Sequence, residues 1–277
     1  MTAGMDWHLA RALLEWQVEL GVTEAIGSQP LDRLAPMAPV TVAPVTVAAS
    51  VPVSASAPAP RPPVAAAGGG EAGVAEQAAA LAGRLAAAAR DAATLAEALA
   101  AFEGCELRRG AQSCVFADGD ARARVMIVGE GPGADEDRAG LPFVGRAGQM
   151  LDRMFAAIGL GRSNPDPSHA LYITNTVPWR PPGNREPTAA ELALLRPFLQ
   201  RHIELADPDV LVLMGNVACE ALLGQRGILK LRGTWAEVMG RPALAMLHPA
   251  YLLRNPEAKR EAWADLLALK AWLAKNG

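Results

Sequence analysis

The sequence predicts an α/β fold: a three-layer α/β/α domain on a four-stranded, mainly parallel sheet, preceded by a helical and disordered N-terminal extension. Two observations predict it. From residue 102 onwards, short apolar runs alternate with segments of helical periodicity, which is typical of a parallel sheet covered on both faces. Each apolar run also leads directly into a loop that contains glycine, asparagine or histidine.

Composition excludes several classes of protein. The chain has 277 residues, of which 51% are hydrophobic and 20% charged, so it is not collagen, a coiled-coil rod or a wholly disordered chain. Three cysteines exclude a disulfide scaffold and indicate a reducing cytoplasm. No long apolar run lacks charge or proline, so we expect no membrane span. With Asp6 and Glu15 in its first apolar stretch, the N-terminus does not have the pattern of a signal peptide.

Charge is distributed unevenly along the chain, whose net charge is −3. Residues 1–101 hold 5 basic and 9 acidic residues, whereas residues 102–277 hold 21 basic residues, 17 of them arginine, and 20 acidic ones. Arginine suits phosphate because its planar fork donates two parallel hydrogen bonds. A surface that merely prefers arginine explains the pattern equally well, so composition leaves both interpretations open.

Four segments divide the chain. Residues 1–33 form a short helical segment, and residues 34–70 a disordered linker rich in alanine and proline, with eight prolines that break helix and strand alike. Residues 71–101 are an alanine-rich helix or helix pair that packs on the segment after it, and residues 102–277 are the α/β domain. Apolar residues at helical spacing in the first segment are Met5, Leu9, Leu13, Trp16 and Leu20.

Strands and helices alternate through the α/β domain. The four predicted strands are the apolar runs 125–128, 171–174, 210–214 and 243–247. Helical periodicity follows the first strand over residues 151–158, and Thr188 with Glu191 forms a capping box that opens the helix before the third. Further helices are predicted over 216–223, ending at Gly224, and over 256–275.

Polar residues follow each strand at the edge where open α/β folds bind ligands. In chain order they are the loop Gly129-Glu130-Gly131-Pro132-Gly133, then Asn175, then Gly215-Asn216, and then His248-Pro249. Taken alone, each has an ordinary explanation as a turn, a cap or a solvated charge. Their common position at one sheet edge favours a functional site formed by Glu130, Asn175 and His248.

Five blocks of sequence carry a resemblance to a known family. They are residues 129–133, Gly140-Leu141-Pro142-Phe143-Val144-Gly145, Asn175, Arg180-Pro181-Pro182-Gly183-Asn184-Arg185, and the run from His248 to Pro256. In this order they resemble the family-four uracil-DNA glycosylases, the bacterial and archaeal type, over about residues 102–273. The resemblance implies a uracil-DNA glycosylase-like fold and excision of uracil from DNA.

Site residues carried over by the resemblance fit this chemistry. Phe143 would stack on a flipped uracil, and the Asn175 amide would read its Watson–Crick edge. The catalytic pair would be Glu130 and His248: His248 stabilises the uracil anion, and Glu130 either orients water or offsets the sugar's positive charge. Amides of the glycine loop would assist, which makes Gly129, Gly131 and Gly133 substrate-binding residues. No lysine lies in the edge loops, which disfavours an imine-forming lyase and favours a monofunctional enzyme.

DNA contacts are expected around the same edge. Arginines there are candidates for phosphate binding, namely Arg146, Arg180, Arg185 and Arg254. The run Leu252-Leu253-Arg254 resembles a wedge that fills the gap left by the flipped base, and its alternative is a pair of core leucines.

The chain departs from the family at the iron–sulfur cluster that family four normally carries. Of the four cysteine positions only Cys105 remains, because the others are Phe102, Trp179 and Leu195. A cubane cluster needs four protein ligands, so we predict no metal and no cofactor. Neither Cys114 nor Cys219 falls at a ligand position.

The predicted function is therefore a hydrolytic uracil-DNA glycosylase acting on uracil-containing DNA as a cytoplasmic monomer. The alternative is a catalytically weak DNA-binding repair scaffold that kept the fold. A nucleotide-binding module is disfavoured, because the glycine loop lacks the Gly-Lys-Ser/Thr ending of a phosphate loop.

Overall fold

A computed structural model describes residues 68–276. The helix predicted within residues 1–33 and nearly all of the predicted linker lie outside the described residues. Helix α1 (Gly68–Ala88) begins inside the segment that we assigned to the linker, so the linker boundary at residue 70 is wrong by three residues. The first N–H groups of a helix have no hydrogen-bond partner within it, so glycines in the first turn weaken few hydrogen bonds of the helix.

The alanine-rich segment is a pair of helices, α1 and α2 (Ala92–Ala101). Asp91 separates them, and its carboxylate accepts the N–H of Thr94 at 2.8 Å as an N-cap. Both helices pack against α6 (Ala189–Ala206), burying Leu95 and Leu99. The pair therefore covers one face of the domain.

Within the described residues, six strands form the sheet, in the order β1-β3-β2-β4-β6-β5. They are β1 (Ala117–Gly119), β2 (Val125–Gly129), β3 (Leu171–Asn175), β4 (Val210–Met214), β5 (Trp235–Val238) and β6 (Arg241–Met246). The four inner strands are parallel and are the four that the sequence predicts, whereas β1 and β5 are antiparallel edge strands. The α/β class is confirmed. The expected count of four strands is wrong, because the prediction lacks the two edge strands β1 and β5.

Both edge strands lack the pattern on which the prediction relied. Strand β1 has only three residues, Ala-Asp-Gly, none of them fully buried. Strands β5 and β6 form a hairpin whose turn residues, Met239 and Gly240, have φ of 52° and 76°. Positive φ at both positions is the geometry that Asn-Gly or Asp-Gly usually signals, and methionine carries no such signal.

Beyond the helix pair, one short helix precedes the sheet, and helices follow each inner strand as expected. They are α3 (Leu107–Gly110), α4 (Ala134–Ala139), α5 (Arg146–Ala156), α6, α7 (Asn216–Leu223), α8 (Ile228–Leu231), α9 (Pro249–Arg254) and α10 (Lys259–Lys275). The predicted capping box opens α6, because Thr188 accepts the Glu191 N–H and Glu191 accepts the Thr188 N–H. The single helix predicted over 256–275 is a 3₁₀ turn followed by α10. In the part of the chain that the structure describes, no helix is long and apolar enough to cross a membrane.

Two apolar cores lie on opposite faces of the sheet. Alternate residues of β2 divide between them: Met126 and Val128 join the core under α1, α2 and α6, and Val125 and Ile127 join the core under α5 and α10. The fold therefore has three layers, and the loops at the carboxyl edge of its parallel strands are left to form a site.

Candidate active site

A cavity of about 520 Å³ opens at the carboxyl edge of the parallel strands. Its walls include Glu130, Phe143, Asn175 and His248, the first and last of which are more than a hundred residues apart in the sequence. The structure thus brings together the three residues that the sequence places at this edge, Glu130, Asn175 and His248, with Phe143, which the resemblance assigns to stacking. Other predicted residues on the walls are Gly131, Gly133, Arg185 and Arg254.

The first and second parallel strands set the floor of the cavity. Beyond their paired ends, Thr176 N–H donates to the Gly129 carbonyl at 3.0 Å and Val177 N–H to the Glu130 carbonyl at 3.3 Å. These bonds fix Glu130 relative to Asn175. A side chain on Gly129 would collide with Asn175 Oδ1 and with the Phe143 ring, so glycine lets these two groups meet above the strand end.

Asn175 presents an unused acceptor. Its side chain is 7% exposed, and its Oδ1 has no hydrogen-bond partner among residues 68–276. A buried polar atom without a partner costs about 1–3 kcal/mol. Such an atom, facing Phe143 across Gly129, indicates a ligand that donates a hydrogen bond there.

Phe143 supplies an aromatic wall beside this amide. It is buried, and its ring centroid lies 5.4 Å from that of His248, with the planes tilted by 31°. Its backbone has φ of 53°, a left-handed conformation that is unusual for a bulky residue. The apolar ring of Phe143 and the polar amide of Asn175 are therefore neighbours.

His248 is a neutral donor in this geometry. As N-cap of α9 it accepts the Ala250 N–H on Nδ1 at 3.2 Å, so in the neutral ring Nε2 carries the proton. Burial, assisted by the nearby charge of Arg254, lowers the pKa of His248 to about 4. The imidazole can therefore donate a hydrogen bond at neutral pH without being an imidazolium.

Glu130 is a carboxylate in a partly enclosed position. Burial and the negative charge of Glu186 raise its pKa above the ordinary value, while Arg226 and Arg254 act in the opposite direction. Three other charged side chains thus act on the Glu130 carboxyl group. Of these three, only Arg254 is among the site residues predicted from the sequence.

Glu136 ties the two glycine-rich loops together. Its carboxylate accepts the N–H of Gly133 at 3.1 Å, of Val144 at 3.0 Å and of Gly145 at 2.9 Å. The Gly133 amide is therefore occupied, and the expectation that it binds the substrate is wrong for its N–H. Glu136 is not among the residues predicted from the sequence, and its signal is its position three residues after the glycine that caps α4.

The predicted phosphate-binding arginines differ in their surroundings. Arg146 and Arg254 are exposed, the first at the start of α5 and the second at the end of α9. Arg180 donates to Asn184 Oδ1 at 2.7 Å. Arg185 forms a two-pronged pair with Glu191, at 2.8 and 2.6 Å, so its guanidinium already has an anionic partner.

The predicted leucine wedge is wrong for Leu252. This side chain is fully buried in the core under α5 and α10, because the short helix α9 turns it inward. Leu253 is partly exposed and packs at the margin of the same core. The alternative interpretation as core residues therefore holds for Leu252, and only Leu253 remains a candidate wedge.

The positions that the resemblance assigns to a cluster do not fit one. Phe102, Trp179 and Leu195 are each at most 2% exposed and share one continuous apolar core with Cys105. The Phe102 ring packs 5.4 Å from that of Phe198. One thiol, beside three side chains that provide no metal-ligating atom, offers no ligand set for a cubane. Among residues 68–276, no group of three metal-ligating side chains is found.

Comparison with known proteins agrees with this architecture. The sequence model of the Uracil DNA glycosylase superfamily matches residues 116–267. The chain is 36% identical to the type-4 uracil-DNA glycosylase of Thermotoga maritima over 178 residues, which are 62% of this chain and 90% of the relative. It is 36% identical to that of Archaeoglobus fulgidus (58% and 82% covered) and 34% to that of Pyrobaculum aerophilum (58% and 84%). The chain therefore belongs to the uracil-DNA glycosylase superfamily and, within it, to the type-4 uracil-DNA glycosylases.

Proposed function

We propose that the protein is a monofunctional glycosylase that flips uracil out of DNA and hydrolyses its N-glycosidic bond. Free uracil leaves, and an abasic site remains in the DNA. The observation that carries the proposal is the Oδ1 of Asn175, which lies enclosed beside Phe143 and His248 and has no hydrogen-bond partner in the described part of the chain. The type-4 relatives, named for the same activity, support it.

Asn175 selects the base. Uracil has an N3–H donor beside an O4 acceptor, and a single amide matches both, with its oxygen accepting and its NH₂ donating. Cytosine has the reverse pattern, an N3 acceptor beside an N4–H₂ donor. A base in a duplex hides this edge in pairing, so the nucleotide must swing out before Asn175 can contact it. Phe143 then offers a face on which the extruded base stacks.

His248 and Glu130 act on opposite ends of the breaking bond. Cleavage leaves negative charge on uracil and positive charge on the sugar. The Nε2–H of neutral His248 donates to the developing oxyanion without first losing a proton, which is stabilisation of the oxyanion-hole kind. Glu130, as a carboxylate, acts on the sugar side, by orienting the attacking water or by offsetting the cation. Arg146 and Arg254 hold the DNA backbone at the exposed rim.

The enzyme works without an iron–sulfur cluster. The apolar packing of Phe102, Trp179 and Leu195 supports this proposal. Protein purified without oxygen should be colourless and contain no stoichiometric iron. About four irons per chain would overturn the proposal.

We propose that the protein acts as a monomer in the cytoplasm. All four central residues lie between positions 130 and 248 of one chain. The three cysteines, all within the described residues, are free thiols, as a reducing compartment allows.

The test is release of free uracil from labelled single- and double-stranded oligonucleotides by the purified full chain. The same oligonucleotides with thymine in place of uracil are the control. Uracil release with an intact sugar-phosphate chain supports the proposal. DNA binding without any uracil release would favour a repair scaffold instead.

A further inference from the structure

Phe143 has a backbone that its own side chain disfavours. Its φ of 53° lies in the left-handed region, where bulky residues are rare, yet its ring forms the aromatic wall of the cavity. A conformation of this kind persists only when its surroundings hold it, and it is commonly found at functional sites. The contacts that hold it are therefore relevant to the activity.

Arg162 makes those contacts from a loop nineteen residues further along the chain. Its Nη1 donates to the Pro142 carbonyl and its Nη2 to the Phe143 carbonyl, both at 2.9 Å. These carbonyls belong to the peptide planes on either side of the Phe143 Cα. Because φ and ψ describe the rotation of those two planes, holding both carbonyls fixes the backbone of Phe143.

The guanidinium is itself held in place. Its Nε donates to Asp152 at 2.9 Å, and Nη1 also donates to Asp118 at 2.8 Å, so it joins β1 and α5 to the Phe143 turn. The side chain is 13% exposed. On the other side of the turn, a side chain at Gly148 of α5 would collide with the Phe143 carbonyl, so the turn is pressed directly against a helix backbone.

We infer that Arg162 is a positioning residue, which fixes the Phe143 ring at the angle required for stacking on the extruded base. The inference rests on the proposed function, because it takes Phe143 as the stacking residue. Arg162 does not line the cavity, so it acts through Phe143. Lysine cannot replace it, since one ammonium lacks the planar fork that reaches two carbonyls and two carboxylates at once.

The test is a double-mutant cycle of Arg162→Lys and Phe143→Ala in the full chain, read by single-turnover release of uracil from a single-stranded oligonucleotide. We expect Arg162→Lys to lower the rate at saturating DNA at least about tenfold, with half-saturation changed less than about threefold. In the Phe143→Ala background, the same substitution should lower the rate less than about threefold, because the ring it positions is gone.

Arg232→Lys is the matched control. Arg232 is similarly enclosed, at 20% side-chain exposure, and binds the Asp265 carboxylate and the Glu261 carbonyl, away from the cavity walls. Its substitution should leave uracil release within about threefold of wild type. If Arg162→Lys does not fold, as judged by thermal unfolding, Asp152→Asn takes its place in the cycle, because it removes one of the two negative charges that hold the guanidinium while keeping both carbonyl acceptors.

The outcomes separate this inference from the proposed function. Independent, multiplying effects of the two substitutions would overturn the role of Arg162, and so would wild-type rates in the variant at position 162. A wild-type chain that releases no uracil, or a Phe143→Ala variant as fast as wild type, would overturn the stacking role on which the inference rests. The inference is supported if the effects of the two substitutions are coupled in the rate at saturating DNA and not in the DNA concentration at half-saturation.

Discussion

Among single residues, Asn175 offers the sharpest test of base recognition. We expect Asn175→Asp to lower uracil excision at least about tenfold, because a carboxylate cannot donate to O4 and leaves a buried polar atom of uracil unpaired, at about 1–3 kcal/mol. Some excision of cytosine should appear, since a protonated carboxyl matches its edge. Oligonucleotides containing either base measure both effects. Unchanged uracil activity would mean that Asn175 is only a turn residue.

A second variant, His248→Ala, distinguishes catalysis from recognition of the base. This variant should slow uracil release without any gain on cytosine, because the imidazole donates to the departing oxygen and does not contact the base edge that distinguishes the two. Gain of cytosine excision in this variant would contradict the proposed geometry.

The two proposed catalytic residues, His248 and Glu130, predict how the rate depends on pH. With the pKa of His248 lowered to about 4, the ring stays neutral from pH 5 upwards and contributes no step near pH 6.5. Glu130 must be ionised to act on the sugar, and its raised pKa places the acid limb of kcat/KM above pH 4.5. Rates of wild type and Glu130→Gln across pH 4–9 check this: the variant should be slower and lack that limb. A limb that persists in Glu130→Gln would assign it to another group.

At the scale of elements, strand β3 and helix α6 meet through a buried polar pair. Tyr172 and His202 share a hydrogen bond of 2.8 Å, and the His202 ring stacks on Phe116 at 4.2 Å. Burial lowers the pKa of His202 to about 3. Between about pH 3 and its ordinary pKa of 6.5, His202 binds the proton only in the unfolded chain. The contribution of His202 to the free energy of unfolding therefore falls as pH falls through this window and is constant above it.

Urea unfolding should therefore show a chain less stable at pH 5 than at pH 8, by about 2 kcal/mol from His202 alone. His248 should contribute a similar loss, because its pKa is also lowered. The double variant Tyr172→Phe with His202→Leu removes both polar groups and should reduce the loss by about half. An undiminished loss in that variant would show that other groups cause it.

At the scale of the whole molecule, the cavity and all its walls lie within residues 130–254. Removing residues 1–67 should leave kcat/KM for uracil release within about threefold, because this segment ends where helix α1 begins and carries few basic residues to bind phosphate. Kinetics of the truncated and full chains check this. A hundredfold loss in a truncated chain that is still folded would make the N-terminal segment part of the active unit.

Removing residues 1–101 should have a different result. That deletion takes away Leu95 and Leu99, which are buried against α6, and a single buried leucine is worth about 2–5 kcal/mol. We expect a lower free energy of unfolding, or failure to fold, in this shorter chain.

The sequence by itself determined the inner sheet and the location of the site. Apolar runs identify β2, β3, β4 and β6 because strands buried on both faces need apolar side chains along most of their length. Since parallel strands end at one edge, the polar residues after them had to converge, as Glu130, Asn175 and His248 do. The cap formed by Thr188 and Glu191 is also visible in the sequence, because its two residues are only three positions apart.

Only the tertiary structure decided which groups pair across long distances. Leu252 and Leu253 look alike in sequence, and the packing of α9 buries one of them completely. Arg185 looks free for phosphate until it is seen paired with Glu191, and Arg162 carries no motif at all. Periodicity reports whether a side chain is buried, because burial repeats with the helix or strand. A hydrogen bond between a side chain and a distant carbonyl has no period, and it exists only once the chain has folded.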